Sequence, residues 1–144
     1  MEIKIAKFQS SQYYQSLALR DKVLRAPLGL FFSGEDILAE QAYTHFIMLQ
    51  EDQVVATAQM VNTGNGTGKM RQVAVDFEFQ SKGLGGKLVD FIENWARESG
   101  LNGITLHARE TAVAFYEKRN YSKKGESFME VGIPHFFMEK HISS

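Results

Sequence analysis

The chain of 144 residues is 44% hydrophobic and 12% aromatic, enough for one buried core, and its formal net charge of −1 leaves no basic footprint for nucleic acid or an anionic membrane. It contains no cysteine, which excludes disulfides and thiolate chemistry, and no apolar run near the ~20 residues of a membrane span. With no apolar signal core at its start, no repeat and no low-complexity tract, a single cytoplasmic domain over residues 1–144 is expected.

Ile3, Ile5 and the residues up to Phe8 predict a first strand. Ser10 and Ser11 can cap a helix from about Gln12 to Arg25, with Tyr13, Leu17 and Leu24 on one side, until Pro27 and Gly29 break it. Ser33 precedes a second short helix, and Asp36 stands where a capping box has Glu or Gln, so only the hydroxyl half of that cap is expected. His45 to Gln50 and Val54 to Val61 flank Glu51-Asp52-Gln53 as a hairpin, and the glycine-rich run Asn62 to Lys69 reads as a mobile connection between strands. Further on, Ile104 to Ala108 predicts a strand and Ala112 to Arg119 a helix. Tyr121 to Val131 and His135 to His141 predict two strands about a Gly132-Ile133-Pro134 turn.

Between these lies the stretch with most chemical content, Met70 to Ser99. An apolar strand at Val73, Ala74 and Val75 leads into the glycine-rich segment Gln80 to Gly86 and then into a helix. Leu84, Leu88, Phe91, Ile92 and Trp95 form its apolar stripe, Lys87, Asp90, Glu93, Asn94 and Arg97 face the other way, and Gly100 ends it. Glycines at a helix start let a ligand approach the backbone, and the free N–H groups of the first turn favour an anion, so a phosphate or pyrophosphate is expected at Gln80 to Lys87. A P-loop is excluded, because Gly86-Lys87 is followed by Leu88 and no glycine stands at the required earlier position. A dinucleotide fingerprint would need its third glycine at Leu88, and Lys69 spoils the same pattern in the earlier run.

The pattern that does fit is Gln80-Ser81-Lys82-Gly83-Leu84-Gly85, which resembles the Q/R-x-x-G-x-G/A segment of the GCN5-related N-acetyltransferases. The resemblance implies the acyl-coenzyme A N-acyltransferase fold, a single α/β domain with a mixed sheet of six to seven strands and about four helices. It also implies that Gln80, Ser81, Lys82, Gly83, Leu84, Gly85, Gly86 and Lys87 hold the pyrophosphate of acetyl-coenzyme A. Val73, Ala74 and Val75 contact its acyl end, Val73 and Val75 by holding the thioester oxygen. Arg109 to Tyr121, RETAVAFYEKRNY, resembles the family's N-x-x-A-x-x-F-Y-x-K-x-G-F helix. That places Tyr116 beside the coenzyme sulfur as general acid and leaves Phe115 to packing. Arg109 or Glu110 takes the usual asparagine position, leaving one coenzyme contact open, and Asn120 can serve the left-handed turn of the usual glycine.

Phe128 to Lys140, FMEVGIPHFFMEK, resembles the ending of the ElaA-like subgroup. For the base, His107 on the strand beside the groove, Glu130 and His135 about the last turn, and a water chain are alternatives. On the acceptor side, Leu19 to Phe32, Arg20 and Arg25 belong to a solvated face or bind an acidic group, and Phe31 and Phe32 form an apolar wall or core. Lys118-Arg119 and Lys123-Lys124 are expected as surface charge. The implied activity is direct acetyl transfer to a primary amine of a small molecule or peptide, with no metal and with homodimerisation as a family expectation. The alternatives are a non-catalytic acyl-coenzyme A sensor or, from another class, a nucleotide-binding protein.

Overall fold

The computed structural model describes residues 1–30 and 32–142, so the expectation for Phe31 lies outside the described residues. Eight strands form one sheet: β1 (Glu2–Ala6), β2 (Thr44–Gln50), β3 (Gln53–Gly64), β4 (Thr67–Val75), β5 (Gly103–Arg109), β6 (Ser122–Lys123), β7 (Phe128–Glu130) and β8 (Ile133–His141). Four helices accompany them: α1 (Ser11–Arg20), α2 (Gly34–Ala39), α3 (Leu84–Glu98) and α4 (Val113–Glu117). The strands lie in the order β1-β2-β3-β4-β5-β8-β6, with β7 paired separately to β8.

Alternation along β2 decides what covers each face. Phe46 and Met48 join the main core under α3, with Leu88, Ile92 and Ala96, whereas Ile47 and Leu49 pack with Leu19 of α1 in a second cluster. Leu88, Val89, Ile92 and Ala96 are fully buried; at about 1.5–3 kcal/mol for a buried leucine or isoleucine, this face alone anchors α3. Gly100 (φ 86°) ends α3 as its sequence predicts, with Leu101 N–H donating to Ala96 O at 2.9 Å. Phe91 and Trp95 are half-buried against the core.

One junction shapes the cleft. β4 and β5 are paired in parallel from Thr67 to Met70 against Gly103 to Leu106, and no further. Opposite β3, Thr57 faces Ala74 while Gln59 faces Arg71, so Gln72 and Val73 stand against Ala58 alone. This bulge, with Gln72 at φ 52°, swings β4 away from β5 and leaves the β5-facing edge beyond Met70 without a strand partner among the described residues.

Several boundaries differ from the sequence expectation. The first helix ends at Arg20 and passes into a π-helical turn, Asp21–Arg25. The expected strand Tyr121 to Val131 is broken into β6 and β7 about Gly125 (φ 79°), which raises the strand count to eight. The last turn sits at Val131-Gly132 (φ 46° and 79°), and Ile133 and Pro134 already belong to β8. The glycine-rich run is a tight hairpin turn about Asn65 (φ 56°) and Gly66 (φ 77°), with Asn102 N–H donating to Gly66 O at 2.8 Å. Ser33 and Asp36 make both halves of a capping box, since aspartate also reaches the Ser33 N–H, at 3.0 Å. The Ser10 cap, the Glu51-Asp52 turn and left-handed Asn120 (φ 72°) follow expectation.

Candidate active site

At the entrance to α3, Gln80 Nε2 donates to Val75 O at 2.9 Å, tying the loop to the end of β4. Ser81 (φ 64°) and Gly83 (φ 80°) take left-handed backbone, and no side chain caps the helix at Gly83. The first-turn N–H groups of α3 therefore remain available, and a Cβ at Gly83 would meet no atom within 4 Å. Gly85 backs onto Val75 and Phe115. Gly86 has a role its sequence does not advertise: a Cβ there would overlap the Arg119 guanidinium, which is held by Asp90 at 2.7 Å and lies over Phe115. Lys82 lies over the Phe79 ring at 5.6 Å, and Lys87 is exposed. Unused amides, exposed lysines and an open Cβ-free approach suit a pyrophosphate.

Where β4 leaves β5 there is a cavity of about 360 Å³, lined by Val73 from β4, His107 from β5, Tyr116 from α4, Glu130 from β7 and His135 from β8. The three side chains among the alternatives for the base thus form one cluster. His107 Nδ1 donates to Glu130 Oε1 at 2.9 Å, which leaves the Nε2 lone pair of a neutral ring free. His135 is buried; its Nδ1 donates to Ile133 O at 2.9 Å, and its Nε2 faces Glu130 Oε2 at 3.5 Å. Burial would raise the Glu130 carboxyl, but the His107 hydrogen bond and the electrostatic pull of His107, His135 and Lys69 outweigh it and hold the group below the usual carboxylate range. Among the described residues, no group of three or more His, Asp or Glu is arranged to hold a metal ion.

Tyr116 is 7% exposed, and its hydroxyl makes no hydrogen bond to a described residue. Burial pushes its hydroxyl well above the ordinary phenol range, so it stays protonated at any working pH. Phe115 meets Tyr116 edge to face at 5.0 Å and packs on the core, as expected.

Two charged residues belong elsewhere than the sequence suggests. Arg20 is neither a solvated nor an acceptor-facing residue: it is 0% exposed, donates to Glu40 at 2.6 and 2.7 Å, and reaches Gln72 Oε1 at 2.8 Å. Tyr13 donates to the same carboxylate at 2.7 Å, so the network ties α1 to the bulge of β4. Glu93, expected outward on α3, is 5% exposed and accepts from Tyr121 at 2.8 Å and Lys140 at 2.9 Å. Arg109 donates to Leu24 O at 2.9 Å and lines the cavity, and Arg25, Lys69 and Arg71 line it too.

The family model described as an acetyltransferase (GNAT) domain matches residues 33–142. The chain belongs to the GNAT acetyltransferase family. As a GNAT domain it is an acyltransferase. It is 35% identical over 112 residues to the uncharacterized protein YyaT of Bacillus subtilis, covering 78% of this chain and 74% of that protein. The GNAT fold is shared with the crystal structure of Escherichia coli ElaA, with a TM-score of 0.82, 18% identity, and 98% and 100% of the two chains covered. An aminoglycoside 6'-N-acetyltransferase complexed with coenzyme A gives a TM-score of 0.80 at 13% identity, over 98% and 97% of the chains. Among the described residues, no helix is long and apolar enough to cross a membrane.

Proposed function

We propose that this protein transfers the acetyl group of acetyl-coenzyme A directly to a primary amine in the cleft between β4 and β5. The observation that carries the proposal is the convergence on one cavity of Val73, Tyr116 and the His107–Glu130–His135 cluster, residues far apart in sequence. The thioester supplies an activated acetyl group. The first-turn amides of α3, with Lys82 and Lys87, bind the pyrophosphate. Main-chain N–H groups of Val73 and Val75, on the strand that has parted from β5, hold the carbonyl oxygen as charge develops on it.

An ammonium cannot attack, so its proton must leave first. Glu130 fixes His107 with Nδ1 as donor, and Nε2 accepts that proton. The amine nitrogen then bonds to the carbonyl carbon, the carbon–sulfur bond breaks, and the nitrogen loses its second proton to solvent as the amide forms. Tyr116, which burial keeps protonated while making it a weaker acid, gives its proton to the departing sulfur and recovers one from solvent. The Phe128–Lys140 ending, with its Gly132-Ile133-Pro134-His135 run, further supports assignment to an ElaA-like subgroup.

Calorimetric titration with acetyl-coenzyme A, followed by an amine panel read by release of the coenzyme thiol, tests the proposal. Saturable binding and amine-dependent thiol release are expected. No binding at millimolar ligand, or binding without release for any amine, overturns it.

A further inference from the structure

The face of the cleft across the sheet from α3 carries an excess of positive charge that no described carboxylate pairs with. Leu106 and Ala108 of β5 and Met70 of β4 point into the core under α3. By alternation, His107 and Arg109, and Lys69 and Arg71, occupy the opposite face, and His135 pairs directly with Arg109 across β5 and β8. Arg25 joins them from the turn after α1. These cations therefore lie across the sheet from the helix whose N-terminus forms the pyrophosphate cradle.

None of Arg25, Lys69, Arg71 and Arg109 has a carboxylate within ion-pair distance among the described residues. Their contacts are neutral. Arg71 donates to the Tyr43 hydroxyl at 2.8 Å, Arg109 donates to a backbone carbonyl, and Arg25 lies over Phe32 at 4.9 Å. They are also close enough to repel one another. Burial, and then the charge of Arg71, lowers the Lys69 ammonium; burial, and then Arg25, lowers the Arg109 guanidinium. Four half-buried cations line the cavity with one lining carboxylate, Glu130, and with Asp36 of α2 as the further acid that feels Arg25 and Arg71, an arrangement that self-repulsion disfavours unless an anion offsets it.

We infer that the acceptor is a small amine bearing a carboxylate or phosphate group, its anionic end held by Arg25, Arg71, Arg109 and Lys69 and its ammonium directed to Glu130 and the two histidines. The inference rests on the acetyl-transfer proposal above. Guanidinium pairs suit either anion, because their donor forks match the oxygens of both. The one carboxylate in the cavity is the group that attracts the ammonium. A cavity of about 360 Å³ fits a small molecule of this kind.

The test compares glycine with glycinamide and 2-aminoethyl phosphate with ethanolamine, in the presence of acetyl-coenzyme A, by thiol release and by mass of the acetylated product. At least one anionic amine is expected to exceed its neutral counterpart at least tenfold in kcat/KM, and the better pair identifies the anion. Arg71→Met and Lys69→Met should each reduce that advantage at least threefold, while the dissociation constant of acetyl-coenzyme A moves less than twofold and the melting temperature confirms folding. Neutral amines turned over as well as anionic ones overturn the inference and leave acetyl transfer standing. If no amine is acetylated, the acetyl-transfer proposal fails, and calorimetry of the same probes decides the inference separately. An anionic amine binding no more tightly than its neutral isostere then overturns it.

Discussion

Arg20 is the residue whose environment differs most from what its chemistry suggests. Long charged side chains are almost never fully buried unless paired, and its partner Glu40 lies 20 positions away in a different element, so no local pattern announces the pair. Periodicity is still visible once the pair is known, since Tyr13, Ser16 and Arg20 fall on the buried side of α1. Arg20→Met leaves Glu40 buried without its cation and should cost about 3–5 kcal/mol of stability. Urea denaturation checks this, and a loss below about 1 kcal/mol would mean the network does not hold α1 to the bulge. The helix that carries Phe115-Tyr116 was legible by contrast, because the pair stands in a recognisable motif; the burial of Tyr116 and its unpartnered hydroxyl needed the fold.

Among the elements, the α3 entrance was the most legible, since glycines, strand and amphipathic helix are contiguous in sequence. Gly83→Ala tests it. Left-handed backbone costs about 1–2 kcal/mol for alanine, with no steric collision to add, so stability should fall by that amount. The new methyl group also projects into the open approach to the amides, so the dissociation constant of acetyl-coenzyme A should rise several-fold in calorimetry. Unchanged affinity would move the pyrophosphate elsewhere. The bulge at Gln72 and the break between β6 and β7 were not legible, because both depend on what lies across the sheet. The same holds for the union of His107, Glu130 and His135, which three separate strands bring together.

At the scale of the whole molecule, the order of strands and helices followed from the sequence, and the charged interior did not. That interior makes stability depend on pH. His45 Nε2 donates to Glu40 O at 2.8 Å, and Gln59 stands at 3.5 Å from Nδ1, a pairing suited to the neutral ring. Burial lowers the His45 imidazole despite the opposing pull of Glu40. The unfolded chain therefore binds more protons as pH falls through the ordinary histidine range of ~6.5, and the contribution of His45 declines there. The advantage of the native protein over His45→Gln in melting temperature should shrink from pH 7.5 to 5.5; a constant or growing advantage contradicts this. Glu40 and Glu130, both held below the usual range, contribute stability above that range that is lost only as pH falls through their lowered values.

Residue, element and whole molecule meet at Tyr116, which acts only if the parted strands, the α3 cradle and the acceptor face converge on its hydroxyl. Steady-state thiol release from acetyl-coenzyme A by Tyr116→Phe, with an accepted amine, measures it most directly. A fall in kcat of roughly a hundredfold, at the low end of what a positioned general acid supplies, is predicted with little change in affinity for acetyl-coenzyme A. A kcat within a factor of two of the native protein would contradict the account.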